Sequence, residues 1–304
     1  MRIAPLDAHG MPLRSTGGDP QDSVEQAFAY CEGVTRNHYE NFPVASRFIP
    51  LHLRPHVYSI YAFARTADDF ADEASLTPSE RLHKLDEWGQ SLDECFAGRA
   101  QSPVFIALAE TTRRLNIPKK PFQDLLTAFR IDVRQNRFET FQDLLRYCEF
   151  SANPVGRLVL HVFGAVSDRN VLLSDKICTA LQLANFWQDV LIDWQKGRIY
   201  IPLEDFDRFG YTEGDLSRQV ANENFRDMIK FQVDRTRSLF REGEPLLHEA
   251  PPKLRFELRL TLLGGLTILR KIENAGYDVL AVRPTISALD KAVIIGKVFL
   301  RLNI

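Results

Sequence analysis

The sequence predicts an all-α chain, and three observations carry that expectation. From about Asp22 onward apolar residues recur three and four apart, as one face of a helix requires. No run alternates apolar and polar residues in the manner of a half-buried strand. The Gly and Pro punctuation falls at helix-length intervals: Pro50 and Pro55, Thr77-Pro78, Gly98 to Pro103, Asn116 to Pro121, Gly164 to Asp168, Lys196-Gly197, Pro202, Gly210, Pro251-Pro252 and Gly276 to Pro284. No linker between these breaks is long or Ser/Gly-rich enough to separate domains, and no fixed period marks a repeat. Residues 21–304 are therefore expected to form one domain. Residues 1–20, rich in Gly and Pro and without a signal peptide's apolar centre, are expected to be a flexible leader.

Composition narrows the function classes. With 26% charged and 45% hydrophobic residues, the chain matches an ordinary globular protein and neither a disordered segment nor a membrane channel. The 38 basic and 40 acidic residues leave a net charge of -2, which provides no footprint for nucleic acid. Cys31, Cys95, Cys148 and Cys178 are scattered, with no CxxC and no His at ligand spacing. That pattern suggests neither zinc nor a disulfide framework, and it fits a cytoplasmic setting. The apolar stretch Ala292 to Leu300 is interrupted by Lys297 and too short to span a bilayer, although it suits a peripheral contact with the inner membrane face.

Two helices carry the chemistry. The first is expected from about Arg54 to Ala74, with Val57, Ile60, Ala64, Ala67 and Ala71 turned inward. The second is expected from about Ser174 to Trp194, with Ile177, Leu181, Ala184, Trp187, Val190 and Leu191 in that role. Tyr61, Arg65, Asp68 and Asp72 follow one another by three or four residues on the first helix; Gln182, Asn185, Asp189 and Asp193 do so on the second. Each set forms one polar row ending in two carboxylates a turn apart. Such a pair repels itself and calls for a cation. Oxygen ligands of this kind suit Mg²⁺, which usually takes one or two carboxylates plus substrate phosphate oxygens, so a diphosphate substrate is inferred. A single acidic row is commonly a solvated helix face; two rows in the same phase on helices with apolar opposite faces favour a metal site. Arg65 could also simply pair with Asp68 or Asp69, and Tyr147 and Phe42 could be core aromatics.

The segments Tyr61 to Asp72 and Gln182 to Asp193, followed by Lys196-Gly-Arg198-Ile-Tyr200-Ile-Pro202, resemble the paired aspartate motifs of the squalene and phytoene synthases. Within that family, His38 to Ser46 and Ser151 to Gly156 are similar to the bacterial hydroxysqualene synthases of hopanoid biosynthesis. The resemblance implies a single-domain, isoprenoid-synthase-type helical bundle around a central apolar cavity. It implies conversion of presqualene diphosphate to hydroxysqualene, the alternative being coupling of two allylic diphosphates to presqualene diphosphate, squalene or phytoene. Mg²⁺ held by Asp68, Asp72, Asn185, Asp189 and Asp193 would assist departure of diphosphate. His38, Phe42, Tyr61, Arg65, Gln182, Asn185, Lys196, Arg198 and Tyr200 would bind substrate. Tyr147 and Asn153 join the aspartates as catalytic candidates. Water capture of the final cation needs no NADPH. The implied partners are the enzymes that make presqualene diphosphate and that later reduce hydroxysqualene.

Two departures from the wider family bear on this reading. Ser151-Ala-Asn-Pro154 stands where relatives carry Val-Ala-Gly, and Pro154 should kink the helix and free polar groups there. Gln188 replaces the Arg that usually precedes the second motif's aspartate, so one fixed positive charge is expected to be missing beside the diphosphate.

Overall fold

A computed structural model describes residues 20–37 and 49–300. Among these residues every regular element is a helix and no strand occurs, so the all-α expectation holds. The leader at 1–20, apart from Pro20, and the candidates His38 and Phe42 lie outside the described residues. The chain divides into two compact units, residues 1–119 and 120–304.

The first unit contains α1 (Pro20–Asn37), α2 (Arg54–Asp72), α3 (Pro78–Phe96) and α4 (Pro103–Leu115). Local chemistry sets their ends. Thr77 and Glu80 form a reciprocal capping box around Pro78 at the start of α3, and Asn116 closes α4 in the left-handed conformation, φ 50°. Helix α2 stops at Asp72, two residues short of the expected end. Its buried face is His56, Ser59, Ala62, Phe63, Ala67 and Ala71, so Val57, Ile60 and Ala64 are only half-buried. The inward stripe is thus rotated from the expected one, because the polar members are satisfied internally. His56 Nδ1 lies 2.9 Å and Ser59 Oγ 2.8 Å from Thr111 Oγ1, a buried triad that lets small polar groups replace aliphatic ones. Phe63 and Phe105 pack on Trp88, whose indole N–H donates to the Phe63 carbonyl.

The second unit contains α5 (Lys120–Arg134), α6 (Phe141–Ser151), α7 (Asn153–Val162), α8 (Asp168–Gln188), α9 (Val190–Gln195), α10 (Leu203–Phe209), α11 (Glu213–Ser217), α12 (Glu223–Gly243), α13 (Leu246–Glu249), α14 (Pro252–Asn274) and α15 (Ala288–Phe299). Helix α8 is its centre, packed by α6, α7, α12, α13 and α14. It starts six residues before the expected Ser174 because Ser167 caps it by accepting from the Asn170 amide. Ile177, Ala184 and Trp187 are buried as expected, Leu181 half-buried. Trp187 is fully buried and donates to Thr236 Oγ1 at 2.8 Å, which turns an indole in the core into a register pin between α8 and α12.

Close packing around α8 depends on missing side chains. A Cβ added at Gly243, where α12 ends, would lie 2.5 Å from Ile177 Cγ1 and 2.9 Å from the Leu173 carbonyl oxygen. The second neighbour is backbone and cannot rotate away. Gly243→Ala is therefore expected to destabilise the protein by about 1–3 kcal/mol, read as a lowered thermal midpoint. An unchanged midpoint would show that α12 can move aside freely.

No helix among the described residues is long and apolar enough to cross a membrane. Cys31, Cys95, Cys148 and Cys178 are all free thiols, in agreement with their scattered spacing.

Candidate active site

In the first unit the acidic cluster occupies the last turns of α2, on the side away from Phe63, Ala67 and Ala71. Arg65 ion-pairs with Asp69 and lies 3.3 Å from Asp68, so a cation of the chain's own already stands among the carboxylates. Asp72 is exposed at the helix end, and Tyr61 is half-buried about three turns earlier. Burial raises the Tyr61 pKa, partly offset by Arg65, which keeps its hydroxyl neutral.

In the second unit the acidic row crosses a helix junction, contrary to the continuous helix expected through Trp194. Asp189 has φ −106° and ψ 14° and separates α8 from α9. The helical ladder nevertheless runs across it: the Asp189 amide donates to Asn185 at 2.9 Å, and the Asp193 amide to Asp189 at 2.8 Å. The bend therefore leaves Asn185, Asp189 and Asp193 in sequence along one side. Asn185 is exposed, Gln182 half-buried. After α9, Gly197 adopts φ 77° and the chain reverses, with the Arg198 amide donating to the Asp193 carbonyl at 2.8 Å. That turn brings Lys196 and Arg198 beside the carboxylates.

Arg283 completes the charge pattern. Its Nε and Nη2 donate to the two oxygens of Asp189 at 2.5 and 3.1 Å. Gln188 Nε2 donates to the Pro284 carbonyl at 2.6 Å and pins this segment to the end of α8. Gln188 itself brings no charge; its side chain anchors a loop, and that loop carries the Arg283 guanidinium to Asp189. Nothing local in the sequence ties Arg283 to Asp189, 94 residues away, although its place in a Pro-bounded segment after α14 marks it as a loop residue.

Asp193 is more deeply placed than Asp189. Burial raises its pKa to about 7, the neighbouring Asp189 adds to this, and Arg198, Lys196 and Arg283 oppose it. Asp193 lines a small cavity with Phe186, Val190, Arg198, Ile199, Tyr200, Ile201 and Leu216. Phe186 and Tyr200 stack there at 3.8 Å and 7°. Phe138 and Tyr147 pack behind them, and the Tyr147 hydroxyl donates to Asp132 Oδ1 at 2.7 Å. Asp132 escaped the sequence reading because it is on α5 and Tyr147 on α6, and no short spacing links them.

The chain breaks between α6 and α7 at Ala152, where the sequence placed a kink. The side-chain amide oxygen of Asn153 accepts from the Thr179 hydroxyl at 3.0 Å, which fastens α7 to α8. Ser151 Oγ is buried without a hydrogen-bond partner.

The donor chemistry fits a weakly preformed metal site. Among the described residues no three or more His, Cys, Asp or Glu side chains converge as a metal cluster. Asn185, Asp189 and Asp193 supply hard oxygen atoms in a row, which suits an ion that takes its remaining ligands from phosphate.

The raised Asp193 pKa has a thermodynamic consequence. The folded ligand-free chain retains this proton up to about pH 7, whereas the ordinary value is 3.8. Between those values the folded state binds more protons, so stability falls as pH rises through the window. Asp193→Asn is expected to be more stable than the parent by about 1–4 kcal/mol near pH 8 and to show little gain at about pH 4, measured by urea unfolding. Equal midpoint differences at both pH values would refute the burial argument.

A family model described as squalene/phytoene synthase matches residues 35–290. The chain is 41% identical to a hydroxysqualene synthase from Zymomonas mobilis over 67% of this chain and 68% of that protein. It is 30% identical to a 15-cis-phytoene synthase from Synechocystis sp., over 97% of this chain and 90% of the relative. The crystal structure of squalene synthase HpnC from Alicyclobacillus acidocaldarius superposes with a TM-score of 0.80 at 44% identity, covering 85% of this chain and 99% of that one. With its aspartate motifs on the helices just described, this chain belongs to the squalene/phytoene synthase family of isoprenoid-diphosphate-processing enzymes.

Proposed function

We propose that the protein converts presqualene diphosphate to hydroxysqualene. The observation that carries the reading is the second-unit row Asn185, Asp189 and Asp193, with Arg283 bonded to Asp189 and with Arg198 and the stacked rings of Phe186 and Tyr200 beside the half-buried Asp193. Such an arrangement sets carboxylates and counter-cations suited to a diphosphate and its metal next to aromatic faces suited to an apolar cation. The 41% identity to a hydroxysqualene synthase supports the choice within the family.

By the family resemblance, Asp68 and Asp72 of the first motif, and Asn185, Asp189 and Asp193 of the second, are the residues that would hold Mg²⁺. When bound, the metal supplies positive charge that favours loss of the diphosphate. The chain's own residues do the rest. Arg65, Lys196 and Arg198, with His38, Tyr61 and Gln182, bind and orient the phosphate oxygens and the adjoining carbon. Phe42 and the rings of Tyr61, Tyr147, Phe186 and Tyr200 offer electron-rich faces to the cation and exclude bulk water. One admitted water then forms the carbon–oxygen bond and loses a proton, giving the tertiary alcohol without a hydride donor such as NADPH. Tyr147 and Asn153 contribute from the α6–α7 junction, Asn153 by fixing its position against Thr179.

The similarity to phytoene synthases over nearly the whole chain favours a second reading, coupling of two allylic diphosphates. A cytoplasmic enzyme resting peripherally on the membrane, receiving its substrate from a presqualene diphosphate synthase and passing its product to a reductase, fits the hydrophobicity of both molecules.

Incubation of the purified protein with presqualene diphosphate and Mg²⁺ is expected to yield hydroxysqualene by mass spectrometry, and omission of the metal to abolish it. Farnesyl diphosphate alone is expected to turn over poorly. Efficient formation of phytoene or of presqualene diphosphate from allylic diphosphates would replace this reading with the second. Asp72→Ala and Asp189→Ala are each expected to lower turnover by about a hundredfold or more while circular dichroism shows unchanged helix content.

A further inference from the structure

Helices α14 and α15 form a hairpin. Phe299, at the end of α15, meets Phe256 near the start of α14, and Asp290 near the start of α15 pairs with Lys271 near the end of α14 at 2.8 Å, so the two run antiparallel. Between them Ile294 and Val298 are buried with Leu263. At about 100° per residue, the opposite side of α15 is an apolar arc of about 160°, running from Ile295 through Phe299, Ala292 and Leu289 to Val293. It is open to solvent: Leu289 is 75%, Val293 47% and Phe299 63% exposed. No charge interrupts the arc, and a lysine stands at each edge, Lys291 beside Ile295 and Lys297 beside Val293. The one acidic residue of α15, Asp290, lies toward the hairpin side and is engaged by Lys271. Helices α14 and α15 together carry seven basic and three acidic residues in a chain whose net charge is -2, so positive charge is concentrated around this face.

We infer that α15 lies flat on an anionic lipid bilayer, with Leu289, Val293, Ile295 and Phe299 set below the headgroups and Lys291 and Lys297 on lipid phosphates. The inference deepens the peripheral membrane placement proposed above and rests on it; it does not depend on which reaction the site performs. The 12 residues of α15 make a helix about 18 Å long, too short for a hydrocarbon core of about 30 Å. An apolar face on such a helix is covered by lipid from the side, with the axis in the interface plane. Lysines at both edges of the arc suit that pose, because their aliphatic stems follow the apolar surface and return the ammonium groups to phosphate level. The proposed substrate, an apolar chain with an anionic head, is itself a molecule of such a surface. A second copy of the chain fits the face less well. A two-fold contact would bring the lysine edges of one hairpin against those of the other. The face, about 18 Å by 10 Å, is also a small part of the ~800 Å² per partner that a stable dimer buries.

The test is co-sedimentation of the full-length protein with two kinds of vesicle, phosphatidylcholine alone and equal parts phosphatidylcholine and phosphatidylglycerol. The parent is expected to bind the mixed vesicles about tenfold or more tightly than the neutral ones, and salt is expected to release it. Leu289→Glu combined with Val293→Glu places two charges in the middle of the arc at exposed positions. This pair is expected to lower binding to mixed vesicles by about tenfold or more, with thermal midpoint and helix content unchanged. Lys291→Gln combined with Lys297→Gln leaves the arc intact. It is expected to lower binding to mixed vesicles by about tenfold and to leave binding to neutral vesicles as it was, a split that loss of fold would not produce. The lysine pair therefore carries the test if the glutamate pair does not fold. Parent-like binding by either folded variant would overturn the inference while the peripheral placement stands. A dimer in solution that the glutamate pair dissociates would assign the face to a second copy and overturn the lipid assignment. A parent that binds neither kind of vesicle defeats the peripheral placement itself.

Discussion

The second unit is organised by the requirement that α8 be buried along its length and yet end in carboxylates. Trp187, fully buried and tied to Thr236, stands two residues before Asp189. A helix that continued straight would carry its buried stripe onward past the acidic residues. The bend at Asp189 turns the chain there, with Val190 still buried, while the two backbone hydrogen bonds across it keep Asn185, Asp189 and Asp193 in order. The cost of the irregular residue is small beside the cost of fully burying two like charges a turn apart.

Charge at this end of the helix is balanced by three cations that come from two segments. Lys196 and Arg198 follow from the turn at Gly197, so they are placed by local backbone geometry. Arg283 arrives from a loop after α14, and its placement depends on the Gln188 side chain holding the Pro284 carbonyl. The guanidinium takes both oxygens of Asp189 and leaves Asp193 as the carboxylate whose ionisation is suppressed. Two acidic residues one turn apart thus sit in different surroundings, one bonded through both oxygens to a guanidinium and the other set among the rings that line the cavity.

How far this was legible in the sequence depends on the distance over which each feature is determined. Helix class, the cap at Thr77 and the kink before Pro154 are local, and the residues themselves announce them. The acidic rows were equally legible, since helical periodicity alone puts Asp68 with Asp72 and Asp189 with Asp193. The inward face of α2 was misjudged because Ser59 and His56 are polar by type and become core residues only through Thr111, on another helix. Asp132 and Arg283 were not assigned for the same reason. Each meets its partner through tertiary packing, and hydrogen-bond partners from separate helices leave no spacing to read.

The same distinction applies to Gln188. Judged by type, replacing an arginine with glutamine removes a charge from the edge of the site. Judged by its bond, the amide N–H finds a carbonyl acceptor that holds a loop, and the loop brings a guanidinium to the carboxylate beside it. The electrostatic field at Asp189 includes a cation borne by a segment held through an amide–carbonyl contact. Such a contact contributes on the order of 1 kcal/mol, so the charge is fixed less firmly than one on the helix itself. In this chain the charge beside the second aspartate motif is a property of the loop's position as much as of any residue in the motif.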